Sequence, residues 1–118
     1  MKNILIAVFS LLLGLASLQA AAHAKLVESV PADGSMLQQS PAALSLTFNK
    51  PVRLVKLILS AEQHGNIDFS FQPARVPSAA LEFALPKLAV GNYKVEWVAM
   101  GADGHKMSGS FQFMQHVN

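Results

Sequence analysis

Three residues offer most of the chemistry in this sequence: His23, Asp103 and His105. Asp103-Gly104-His105 sets a carboxylate and an imidazole two residues apart. In extended backbone, residues i and i+2 point the same way, and Gly104 lets the chain bend without a Cβ penalty. Both side chains can then converge on one ion, although an ordinary turn is the plain alternative. His23 acquires a special role if the chain is cut after Ala22. One residue then supplies a free α-amine and an imidazole Nδ1 to the same ion, a bidentate chelate. A terminal amine titrates near pH 8 (about two units below a lysine), so a strong Lewis acid displaces its proton more readily. Neutral imidazole suits copper, nickel and zinc alike. Without such a cut His23 is one more polar side chain. The other two histidines, His64 in a Gln63-His64-Gly65-Asn66 turn and His116 in the C-terminal tail, are expected to be solvated.

The cut follows from the N-terminal segment. Lys2 is followed by Ile4 to Leu18 without a charge and then by Gln19-Ala20-Ala21-Ala22-His23-Ala24, the basic, apolar and small-residue regions of a secretory signal peptide. A spanning helix needs roughly 20 apolar residues, and this stretch is shorter. Ala20-Ala21-Ala22 and Ala22-His23-Ala24 both satisfy the small-x-small rule, so cleavage after Ala22 or after Ala24 both fit. Residues 1–22 are expected to be the signal and residues 23–118 one domain. The first cut leaves 96 of 118 residues, with eight Lys or Arg and seven Asp or Glu. This near-neutral remainder has cations spread from Lys25 to Lys106, and no clustered basic face for nucleic acid. The absence of cysteine excludes disulfides, zinc-thiolate and iron–sulfur sites, blue-copper centres and thiol nucleophiles. No Gly-x-Ser-x-Gly elbow is present either.

The elements that must position these residues read as strands. Apolar residues alternate at Leu44, Leu46 and Phe48, at Ile67, Phe69 and Phe71, at Tyr93, Val95 and Trp97, and at Phe111 and Phe113, a period of two. Weaker strands are expected over Lys25 to Val30, Val52 to Ser60 and Ala80 to Leu85. Turn residues punctuate the runs, including Pro31-Ala32-Asp33-Gly34, Gly91-Asn92 and Gly101-Ala102-Asp103-Gly104. About seven short strands with such spacing predict an all-β sandwich or small barrel. Tyr93 and Trp97 share one strand face and are expected to anchor the core.

The ordered set His23-Ala24-Lys25-Leu26-Val27-Glu28-Ser29-Val30-Pro31-Ala32-Asp33-Gly34-Ser35, Leu46-Thr47-Phe48-Asn49-Lys50-Pro51-Val52, Gly91-Asn92-Tyr93-Lys94-Val95-Glu96-Trp97 and Asp103-Gly104-His105-Lys106-Met107-Ser108-Gly109-Ser110-Phe111 resembles the CopC-type copper resistance proteins. The resemblance spans essentially the whole chain after the signal. It implies a periplasmic Greek-key β-barrel, cupredoxin-like or immunoglobulin-like, that binds one Cu(II) for copper resistance, homeostasis or trafficking. By motif, the ligands would be the amine and Nδ1 of His23, a carboxylate oxygen of Asp103 and an imidazole nitrogen of His105. Nitrogen and oxygen donors of that kind suit the tetragonal preference of Cu(II). A monomer is implied, with an inner-membrane copper transporter of the CopD type as the candidate partner.

Two departures from the family pattern stand out. Some members carry an acidic residue in the segment matching Phe48-Asn49-Lys50-Pro51, where this chain has Asn49 and Lys50, so the resemblance does not extend to an acidic fourth contributor. Others carry a Met-rich loop for Cu(I), and no such cluster lies between Ser60 and Pro86. Met36, Met100, Met107 and Met114 are scattered, so packing is their expected role and a Cu(I) site is not expected. Two other functions compete with copper carriage: a copper-dependent redox enzyme built on a terminal-histidine brace, and a structural β-module that needs no metal.

Overall fold

In the computed structural model the described residues are 24–116, and they form seven strands and no helix. The strands are β1 (Leu26–Val30), β2 (Ser35–Leu37), β3 (Ala43–Ala61), β4 (Gly65–Ile67), β5 (Ser78–Ala84), β6 (Gly91–Gly101) and β7 (Lys106–Gln115). The expected signal peptide and His23 lie outside the described residues.

β3 organises the molecule. It pairs antiparallel with β1, β4, β5 and β6; β6 pairs antiparallel with β7, and β2 adds in parallel to the far edge of β7. Two strands were expected over this stretch, one on the alternation of Leu44, Leu46 and Phe48 and a weaker one over Val52 to Ser60, but one 19-residue strand runs through. Proline lacks the N–H that a ladder requires. Pro51 is accommodated because pairing is interrupted there: β5 skips from Thr47 to Val52, β1 stops at Phe48 and β6 starts at Val52.

Alternation along β3 buries Leu44, Leu46, Phe48, Val52 and Leu54, then Leu57, Leu59 and Ala61. The change from even to odd positions falls at a register shift between Leu54 and Lys56. One extra residue there turns the following side chains to the opposite face, and the bulge keeps the apolar ones inside. Tyr93, Val95, Trp97, Phe111 and Phe113 complete the core. Tyr93 stacks on Phe113, and its hydroxyl donates to the Ala89 carbonyl at 2.6 Å. A tyrosine bonded to backbone a few residues upstream is the corner device of Greek-key sandwiches. Trp97 meets Phe48 edge-on at 5.3 Å and lies opposite Gly109. A Cβ on Gly109 would fall 2.6 Å from the indole ring, so glycine is the residue that lets β7 close over Trp97.

The expected strand over Ile67, Phe69 and Phe71 stops at Ile67. The Asp68 side chain accepts the Ser70 N–H at 2.9 Å and Ser70 takes a φ of 61°, a local turn that ends pairing. Phe69 and Phe71 still pack, each against Phe83, so their alternation marks an aromatic cluster on a loop. β2 had no periodic signal because three residues are too few to display one.

Candidate metal centre

β6 and β7 form a hairpin whose last register pair is Met100 with Lys106. The turn that closes it is held by backbone: the Gly104 N–H donates to the Gly101 carbonyl at 3.0 Å, and the Gly101 N–H to the His105 carbonyl at 2.9 Å. Gly104 has a φ of 82°, in the left-handed region that L side chains avoid.

Within this turn the two sequence-predicted residues come together. One Asp103 oxygen, Oδ1, accepts the His105 backbone N–H at 3.0 Å; the other, Oδ2, lies 2.9 Å from His105 Nδ1. A neutral imidazole bonded to a carboxylate through Nδ1 carries its proton there, which leaves the Nε2 lone pair available. The His105 side chain is 74% exposed and that of Asp103 43%, so an ion can reach both. Asp103 therefore does two jobs in the turn: it stands in for a backbone acceptor, and it fixes the ring and tautomer of its neighbour.

The ladders also fix where the N-terminal segment heads. β5 follows one edge of β3, and Val52 faces Ser78 of β5 on that edge and Gly101 of β6 on the other. Ser45, Leu46 and Thr47 are likewise flanked by β5 and β1, so β1 and β6 share the second edge of β3, end to end. Because β1 is antiparallel to β3, the chain read backwards from Leu26 travels toward Val52 and the Gly101 turn. Two hydrogen bonds clasp it on this course: the Lys25 N–H donates to Asn49 Oδ1 at 2.7 Å, and the Asn49 N–H donates to the Lys25 carbonyl at 3.0 Å. Asn49 to Val52 is three residues, about 10 Å of strand. Sequence reasoning considered Asn49 only as a lost acidic ligand and missed this clasp, for which no periodic or motif signal exists.

The structure keeps the other histidines apart from the turn. His64 follows the far end of β3, and His116 follows the far end of β7; nine or ten strand residues separate each from the turn, about 30 Å. Both are exposed, as expected. Among the described residues no cluster of three or more His, Asp, Glu or Cys side chains is present, so Asp103 and His105 form a two-residue partial site. No helix among them is long and apolar enough to cross a membrane.

The CopC domain matches residues 26–116, nearly all of the described chain. This protein belongs to the CopC family. It is 32% identical over 115 residues to copper resistance protein C of Pseudomonas syringae pv. tomato, with 84% of this chain and 85% of that protein covered. It is also 32% identical over 99 residues to copper transport protein CutJ of Bacillus subtilis (strain 168), covering 78% of this chain but only 18% of CutJ. CopC from Methylosinus trichosporium OB3b shares the fold, with a TM-score of 0.67 at 24% identity over 81% of this chain and 96% of that one. PcoC from Escherichia coli, a methionine-rich copper resistance protein, gives a TM-score of 0.64 at 23% identity over 80% and 99%. These two relatives carry the names of a copper transport protein and a copper resistance protein rather than of enzymes.

Proposed function

We propose that the chain beginning at His23, after removal of residues 1–22, is a periplasmic protein that binds one Cu(II) through the His23 amine and Nδ1, His105 and Asp103. The observation that carries this reading is the convergence of two features at one end of the fold. The Asp103–His105 pair presents an outward imidazole nitrogen on a rigid turn, and β1 sends the N-terminal segment toward that turn along the shared edge of β3. Three nitrogens and a carboxylate oxygen satisfy Cu(II) without a soft donor. Each carboxylate oxygen has two lone pairs, so Asp103 can keep orienting His105 while offering an oxygen.

Copper is cargo in this reading, held for resistance or handed on. The likeness to a segment covering 18% of CutJ, a copper transport protein, supports delivery to a membrane transporter of the CopD type. A module joined to a larger transport chain in one protein can act as its separate partner in another.

The test compares Cu(II) affinity of the chain starting at His23 with that of a chain carrying one extra N-terminal residue. Loss of affinity in the extended form is expected; equal affinities would rule out the terminal chelate.

A further inference from the structure

At the opposite end of β7 a second donor set assembles from residues far apart in sequence. β2 and β7 pair in parallel with Met36 opposite Met114. Register partners on neighbouring strands, about 4.8 Å apart, project from the same face of a sheet. That face is the outer one: Phe111, Phe113 and Gln115 of β7 are buried, and Met114 alternates with them. Met36 is 59% exposed, so packing does not account for it, contrary to the role expected from sequence. Met107, by contrast, does pack against the core. Both Met36 and Met114 line one open cleft of about 190 Å³, together with Asn92 and Gln112.

His116 lies two residues beyond Met114. Its N–H donates to the Leu37 carbonyl at 2.9 Å, which continues the β2–β7 ladder and holds His116 in extended backbone on the Met114 side of the strand. Two thioethers and an imidazole are thereby brought to one exposed patch. Thioether sulfur is a soft, polarisable donor on a three-torsion side chain that adapts to its target, and soft donors select monovalent d10 ions over divalent ones. The cleft has no acidic side chain among its lining residues, so it has little to attract a hard cation.

We infer that Met36, Met114 and His116 form a binding site for a soft monovalent metal ion, Cu(I) or Ag(I). The site is separate from the Asp103–His105 turn and stands whether or not that turn binds Cu(II).

Ag(I), which does not change oxidation state, is the probe. Titrated into the metal-free protein, it is expected to move the methyl resonances of Met36 and Met114 and leave those of Met100 and Met107 in place. The variant Met36→Leu/Met114→Leu is expected to lose this Ag(I) equivalent while its Cu(II) affinity stays at the wild-type value; His116→Ala is expected to weaken Ag(I) binding. Leucine conserves volume, and an unchanged thermal midpoint checks the fold. The single variant Met36→Leu, at a largely exposed position, provides the same reading should the double variant not fold. Equal Ag(I) affinity in wild type and the leucine variants, or shifts confined to Met100 and Met107, would overturn the inference.

Discussion

The two ends of β7 make opposite kinds of donor set. At its start, Asp103 and His105 lie two residues apart on one tight turn, are bonded to each other, and offer nitrogen and oxygen. At its end, Met36 and Met114 come from positions 78 residues apart, are joined only by a parallel register, and offer sulfur with His116 beside them. A turn can build a site from neighbours in the chain because its backbone bonds dictate where each side chain points. A sheet edge builds one from strangers, so its chemistry is invisible until the strands are paired.

Substitutions that separate the two ends test this contrast most severely. In the proposed Cu(II) site, extending the chain by one residue before His23, or replacing His105 with alanine, would remove a direct nitrogen donor. Each is expected to lower Cu(II) affinity beyond the 10–100-fold (about 1.4–2.8 kcal/mol) typical for loss of an orienting partner, as read by competitive titration. Ag(I) binding at the Met36–Met114 edge is expected to be unaffected. Asp103→Ala removes both the group that holds the His105 ring and the proposed oxygen donor, and a loss of at least the roughly 10–100-fold typical of an orienting partner is expected. A loss confined to that range would leave Asp103 an orienting role only, without a bond to the metal.

Gly109→Ala addresses the region between the ends. The new Cβ would press on the Trp97 ring, and overpacking of this kind costs about 1–3 kcal/mol. A lower thermal midpoint is expected with both metal affinities retained, because neither donor set touches Gly109. Asn49→Leu has the smallest expected effect. It removes one hydrogen bond to Lys25, worth about 1 kcal/mol, and a several-fold weaker Cu(II) affinity follows if the clasp guides the N-terminal segment. The loss should disappear when the chain is already extended before His23; a loss that persists there would mean that Asn49 acts on the fold instead.

Much of the fold was legible because alternation reports burial directly. Leu44, Leu46 and Phe48, Tyr93, Val95 and Trp97, and Phe111 and Phe113 all point into the core as the pattern predicts. The failures have local causes. Phe69 and Phe71 alternate for the sake of an aromatic cluster while Asp68 breaks the strand with its own side chain. The runs over Leu44 to Phe48 and Val52 to Ser60 join into one strand because Pro51, between them, falls where pairing lapses and no ladder bond is required.

The sequence by itself determined the strand faces, the Asp103-Gly104-His105 turn and the kinship with CopC proteins, since each is written in residues at short spacing. Tertiary structure alone decided that β1 leads toward that turn, that Asn49 clasps Lys25, and that Met36 stands beside Met114. Those three depend on which strands are neighbours and in what register. Register is settled by the burial of many side chains together, so no short stretch of sequence contains it.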